Sequence, residues 1–251
     1  MVDEKSPIAL VTGASRGIGK AIATELASRD LMVVGTATTS KGASKISSYL
    51  ENMRIPGVGM AVDVADDRSV EKLLTEINEK FGSPTVLINN AGITRDNLLM
   101  RMKLDEWHSV IDTNLNSMFR VTKLCLKGMT KARSGRIINI SSVVSASGNP
   151  GQTNYAASKA GIVQLTKALA LEWARYKIRV NALCPGYIET PLNKAFLESD
   201  AGQALVHRIP QRRLGQLSDL DAPLLLIASD ASAYMTGSVL VVDGGHLVSS
   251  L

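Results

Sequence analysis

Cysteine, histidine and aromatic residues are scarce in this chain of 251 residues, which holds two Cys, three His, two Trp, five Tyr and three Phe. Cys125 and Cys184 form neither a disulfide framework nor a metal-ligand spacing. They read as small buried apolar groups in a reducing, cytoplasmic setting. His108, His207 and His246 stand in unrelated contexts, so no metal site is expected. No segment reaches eighteen apolar residues, and the start "MVDEKSPIALVTG" has neither a long apolar stretch nor a cleavage site. Neither a membrane span nor a secretory signal is expected. Linkers, repeats and low-complexity tracts are missing too, so residues 1–251 read as one domain. The net charge is +5, but the basic residues are scattered. The densest cluster, "KGMTKARSGR" (127–136), lacks interleaved aromatics. That argues against nucleic acid and leaves a solvated face or a docking point for an anionic partner.

What is present is an alternation. Short β-branched runs at 8–13, 31–38, 57–64, 85–92, 135–143, 178–186 and 238–245 alternate with helical stretches, among them 69–81, about 105–130, 154–176 and 218–230. In the first helix Ile18, Ile22 and Leu26 recur at i, i+4 and i+8. Strand–helix alternation along the whole length predicts an α/β fold: one doubly wound, Rossmann-like parallel sheet with helices on both faces. Ligands of such sheets bind outside the carboxyl ends of the strands. The irregular stretch 187–215 leaves the sheet at that edge and reads as a substrate lid, or else a surface insertion.

"TGASRGIG" (12–19) sets Gly13, Gly17 and Gly19 between the first strand and first helix, with Ser15, Arg16 and Ile18 among them. Glycines permit a tight turn and close backbone approach. The helix start then offers free N–H groups and a positive dipole end to a pyrophosphate. A carboxylate about twenty residues further on would hold the ribose hydroxyls of NAD. No acid falls between Asp30 and Glu51; Thr38 and Lys41 stand there instead. Arg16 and Thr38 suit a 2′-phosphate, which predicts NADP(H). Asp63, followed by Val64 at the third strand's end, could accept from the adenine amino group or cap the next turn. In "NNAG" (89–92), Asn90, with Ala91 and Gly92 beside it, could touch a ribose or tie neighbouring loops together.

"NYAASKAG" (154–161) puts Tyr155 and Lys159 four apart among small residues, on one face if helical. A phenol has a reference pKa of about 10. A neighbouring ammonium favours the phenolate, so the pair predicts an acidified tyrosine fit for general-acid work. By spacing alone a surface Tyr beside a surface Lys remains open.

Taken in order, "TGASRGIG", "NNAG", Asn114 in "TNLNS", Ser142 in "ISSVV", "YAASK" and "PGYIET" resemble the short-chain dehydrogenase/reductase family over nearly the full chain. The resemblance implies a seven-stranded sheet, commonly in homotetramers. It implies that Tyr155 is the general acid, Lys159 its tuner and a ribose ligand, and Ser142 a donor to the substrate carbonyl. Asn114 would hold a water linking Lys159 to a proton relay. Backbone groups of Pro185, Gly186 and Ile188 would orient the nicotinamide amide, with help from Thr190. The first half is similar to the bacterial branch that reduces 3-oxoacyl thioesters on a carrier protein in fatty acid synthesis. There an Arg before the fifth strand binds the carrier, and Arg133 matches it. A second such Arg falls at Tyr176, between Arg175 and Lys177. "RDNLLMRM" (95–102) would line the entrance, with Met100 and Met102 as flexible contacts. The second half leans towards members acting on small ketones, sugars or polyols. A non-catalytic dinucleotide sensor is a third reading, opposed by the intact Asn114, Ser142, Tyr155 and Lys159.

Overall fold

The computed structural model describes residues 6–190 and 199–249. Its strands are β1 (Ile8–Val11), β2 (Met32–Ala37), β3 (Gly57–Ala61), β4 (Val86–Asn89), β5 (Gly135–Ile140), β6 (Ile178–Pro185) and β7 (Val239–Val242). They form one sheet in the order β3-β2-β1-β4-β5-β6-β7, and every pair is parallel. The helices are α1 (Gly17–Ala27), α2 (Ser40–Asn52), α3 (Asp67–Lys80), α4 (Leu104–Ile111), α5 (Ser117–Ala132), α6 (Val144–Ser147), α7 (Thr153–Trp173), α8 (Asp200–Arg208) and α9 (Asp221–Ala228).

Both faces of the sheet are covered, which is why "IALV" and "VLIN" are continuously buried rather than alternating. One core layer joins the sheet to α1, α2 and α9 through Ile22, Leu26, Ile46, Leu50 and Leu224. The other joins it to α3, α5 and α7 through Val70, Leu73, Val121, Met129 and Ala170. The strand order reverses between β1 and β4, and that topological switch opens a crevice at their carboxyl ends.

Three local features depart from the pattern expected from sequence. The ladders stop two or three residues short of several expected strand ends, and the leftover tails are the loops that carry the site. Helix α2 forms in a stretch, "SKGASKISSYLEN", too rich in Ser, Gly and Lys to announce itself. Thr39 caps it by accepting from Gly42 N at 3.1 Å, and Ala43, Ile46 and Leu50 supply its buried stripe. The long helix expected over 105–130 is two helices joined by a π-helical turn, Asp112–Asn116. Arg120 braces that turn, bonding Asp112 at 2.7 Å and Asp67 at 2.5 Å.

The excursion at 187–215 contains α8, capped by Ser199 accepting from Gly202 N. Its two ends are stitched together, Gly215 N donating to Tyr187 O and Glu189 N to Gly215 O. Residues 191–198 of the expected lid lie outside the described residues. Among the described residues no helix is long and apolar enough to cross a membrane, and no group of His, Cys, Asp or Glu could hold a metal ion.

Candidate active site

At the carboxyl end of β1 the chain turns through Gly13 (φ +69°) and Gly17 (φ +55°), the left-handed region that favours glycine. A Cβ on Gly19 would sit 2.2 Å from Gly13 O and 2.4 Å from Asn90 Nδ2. Only a bare backbone fits there. The first turn of α1 follows from Arg16 with no side chain capping it, so its N–H groups are left for an anion. Gly13 and Gly17 are partly exposed, as are Ser15 and Ile18 beside them, and Arg16 is exposed. Ala14 N donates to Thr36 O at 2.8 Å, which sets the turn against the end of β2. Thr38, exposed just beyond β2, therefore shares a rim with Arg16. From the far side Tyr49 of α2 donates its hydroxyl to Ala14 O at 3.0 Å, and Lys20 stands over its ring. Burial pushes the Tyr49 phenol up to about 12, so it remains a donor. Such a cradle fits a dinucleotide pyrophosphate.

Asn90 resolves towards the tie. Its Nδ2 donates to Thr12 O (2.9 Å) and Gly13 O (3.1 Å), while Thr12 Oγ1 accepts from Asn90 N and Ala91 N. Both amide protons serve the glycine turn, the second of the two roles open to this residue. Asp63 Oδ1 accepts from Ala65 N at 2.9 Å, the turn-capping role, and the residue is exposed beside buried Val64. At the end of β6 the expected nicotinamide-orienting groups are partly committed. Gly186 N donates to Val242 O, and Pro185 O accepts from Val143 N. Ile188 is buried and bridges to Gly215. Thr190 lies beside the glycine turn, its Cγ2 3.9 Å from where a Gly17 Cβ would be. The β6 tail thus closes over the same crevice.

The chemical groups meet between β5 and α7. Ser142 follows β5 and is partly exposed, whereas Ser141 is buried and spends its hydroxyl on Lys159 O at 2.8 Å. The two serines thus differ in exposure and in what their hydroxyls face. The Ser142 hydroxyl lies close enough to the Tyr155 phenol to favour its ionised form. Lys159, 4% exposed, donates from Nζ to Ile140 O at 2.7 Å and stands 5.5 Å from the centre of the Tyr155 ring. Burial lowers the Lys159 ammonium to about 8.

The expected acidified phenol is not found. The Tyr155 phenol lies above its ordinary value, because burial raises it first and the Asp96 charge adds to that, with the nearby Ser142 hydroxyl opposing. The physical reason is geometric. The ammonium lies against the ring and turns to a carbonyl, while burial penalises the phenolate.

Asn114, in the π turn, is wholly buried. Its Oδ1 accepts from Ile93 N (2.8 Å), and its Nδ2 donates to Ile93 O (3.0 Å) and Ser158 Oγ (3.2 Å). The side chain is a strut between the β4 loop and α7. Both its side-chain donors are taken, so a water at Asn114 would be held by an acceptor. Arg133 caps α5 in a left-handed conformation (φ +48°) and donates to Arg175 O. It precedes β5 whereas Ser142 follows it, so the six-residue strand separates Arg133 from the site by about 20 Å. Met102 accepts from Thr153 Oγ1, and Met100 is almost fully exposed, as an entrance requires. Sequence reasoning missed Thr12, Tyr49, Asn154 and Ser158. A polar residue in an otherwise buried position was the available signal for each.

Fold and crevice together define an oxidoreductase that uses a nicotinamide dinucleotide. A family model described as enoyl-(acyl carrier protein) reductase matches residues 13–246. The chain is 51% identical over 242 residues to a 3-oxoacyl-[acyl-carrier-protein] reductase of Pseudomonas aeruginosa, covering 96% of this chain and 98% of that one. A putative gluconate dehydrogenase from Agrobacterium tumefaciens superposes with a TM-score of 0.95 at 32% identity, covering 99% of each chain. A gluconate 5-dehydrogenase from Burkholderia cenocepacia, solved with NADP and tartrate, superposes at 0.93 with 34% identity, covering 97% of this chain and 96% of that one. This chain belongs to the short-chain dehydrogenase/reductase family.

Proposed function

We propose that the chain reduces 3-oxoacyl thioesters carried on an acyl carrier protein, with NADPH as reductant and Tyr155 as general acid. The observation that carries this reading is the Ser142–Tyr155–Lys159 cluster beside the glycine cradle, in a chain half identical to a reductase of that name. Gly13, Ser15, Gly17, Ile18 and Gly19 would hold the pyrophosphate, Arg16 and Thr38 the 2′-phosphate, and Asp63 and Val64 the adenine. Asn90, Ala91 and Gly92 would shape the ribose wall, with Pro185, Gly186, Ile188 and Thr190 on the nicotinamide side. Bound NADPH supplies a hydride.

The protein's part is to steady charge and deliver a proton. Ser142 and Tyr155 would hydrogen-bond the substrate oxygen, where negative charge grows. An alkoxide is a far stronger base than a phenolate, so a phenol with a raised pKa still gives it a proton. Across neutral pH that phenol stays loaded, which favours reduction over oxidation. Lys159 would add positive charge behind the ring and hold the ribose. Segment 187–215 would close over the acyl chain as a lid, in a cytoplasmic homotetramer. Exposed Arg133, Arg175 and Lys177 offer a basic patch to an acidic carrier, at the end of the sheet opposite the chemistry.

A second reading is a dehydrogenase of small hydroxy acids or sugars. It is favoured by the superposition on two gluconate dehydrogenases, one solved with tartrate. One assay separates the two: dinucleotide oxidation or reduction with acetoacetyl and crotonyl thioesters, gluconate and simple ketones. The expected outcome is consumption of NADPH with the acetoacetyl thioester, at least tenfold faster than NADH. Turnover confined to gluconate or the crotonyl thioester, or a preference for NADH, would overturn the proposal.

A further inference from the structure

Asn154 stands immediately before Tyr155 in the first turn of α7 and is wholly buried. A residue chosen only to fill space there would be apolar. Its amide instead makes three hydrogen bonds. Nδ2 donates to Arg95 O at 2.9 Å and to Glu106 O at 3.2 Å, and Oδ1 accepts from Tyr155 N at 2.7 Å. Arg95 belongs to the exposed segment that follows β4, and Glu106 to the first turn of α4. One side chain thus joins both flanks of the substrate entrance to the backbone of the tyrosine.

The other end of the Tyr155 peptide is held in a matching way. Ser158 Oγ donates to Tyr155 O at 2.7 Å and accepts from Asn114, which in turn grips Ile93. The entrance segment is stitched to the α7 side at two further points, Asn97 N to Gly151 O (2.8 Å) and Gln152 Nε2 to Asp96 Oδ2 (2.9 Å). The same segment carries Leu98, Leu99 and Met100, all strongly exposed.

We propose that Asn154 is a positioning residue for the reaction. It fixes the Tyr155 peptide to the entrance segment, so that the phenol is set in place by the wall over which the acyl chain enters. The proposal rests on Tyr155 as general acid. It assigns Asn154 no contact with substrate or dinucleotide; its effect passes through the tyrosine. A displacement of about 1 Å in a reacting group costs up to about a hundredfold in rate. Losing Asn154's donors should therefore lower kcat while leaving dinucleotide binding alone.

The test is Asn154→Asp, which keeps the acceptor for Tyr155 N and removes both donors, with Asn154→Ser beside it as a smaller uncharged variant. Each full-length variant is assayed with acetoacetyl thioester and NADPH, and with NADPH deuterated at the transferred hydrogen. The expected result is kcat lowered about ten- to a hundredfold, KM for NADPH within about twofold, and a larger isotope effect on kcat. A folded variant of either kind with kcat within about threefold of wild type overturns the proposal. So does a loss of kcat matched by an equal loss of NADPH affinity, which marks a merely structural role. Tyr155→Phe, run in parallel, keeps the two readings apart. If it retains activity the tyrosine assignment fails, whereas an inactive Tyr155→Phe beside a fully active Asn154→Asp sinks the positioning role alone.

Discussion

The two lips of the crevice are built on opposite principles. The lip after β1 is made of backbone: glycines approach so closely that a single added carbon would strike Gly13 O. The lip between β5 and α7 is made of buried polar side chains, Asn114, Asn154, Ser158 and Lys159, each spent on a named hydrogen bond. The first lip should be hurt by atoms gained and the second by hydrogen bonds or charges lost. A pyrophosphate needs N–H groups and space, which backbone alone supplies. A proton donor needs a fixed direction, which takes side chains locked from several sides.

The largest expected effect on binding comes from adding one carbon to the first lip. Gly19→Ala forces a Cβ onto a backbone carbonyl that cannot swing away. Overpacking of this kind costs up to about 3 kcal/mol, or roughly a hundredfold in NADPH affinity. Fluorescence titration reads it directly, and affinity within threefold of wild type would break the contrast between the lips.

A smaller effect on free energy of folding, opposite in sign to the effect on activity, is expected at Lys159→Met. The folded Lys159 holds its proton only up to about 8, below the ordinary lysine value. Between those two values the unfolded chain binds more protons, so stability rises with pH across that window. Below it the full cost of burying the charge is present. Methionine removes the charge and forfeits the bond to Ile140 O, for a net gain of about 1–2 kcal/mol at pH 7. The melting temperature should rise by roughly 2–4 °C per kcal/mol while turnover falls by orders of magnitude. A lower melting temperature at pH 7 would show that the buried ammonium stabilises the fold.

The smallest effect sharpens the comparison by testing a side chain that serves the backbone lip. Tyr49→Phe removes the donor to Ala14 O and little else. It should cost about 1 kcal/mol, seen as a KM for NADPH about fivefold higher with kcat unchanged. Loss of kcat without change in KM would place Tyr49 with the chemical lip instead.

What could be read from the chain divides along similar lines. The sheet was legible because strands buried on both faces are written as unbroken apolar runs, and the glycine turn because no other residue substitutes there. Tyr155, Lys159 and Ser142 were legible through spacing and resemblance. Helix α2 was not, since its stability comes from docking Ile46 and Leu50 on the sheet rather than from its own residues. The side-chain partners of Asn90 and Asn114 were not legible, because an amide's partners depend on chain segments 77 and 21 residues away. The shift of the tyrosine went the other way because spacing along a helix says that an ammonium is near, not where it points.

The π turn at Asp112–Asn116 makes chain length itself part of the machinery. Wide turns of this kind hold one residue more than a regular helix would, and that surplus carries Asn114 round to grip the β4 loop and Ser158. A relative shortened there by a single residue would keep its sheet, its glycine cradle and its tyrosine, and still misplace the groups that hold them in register.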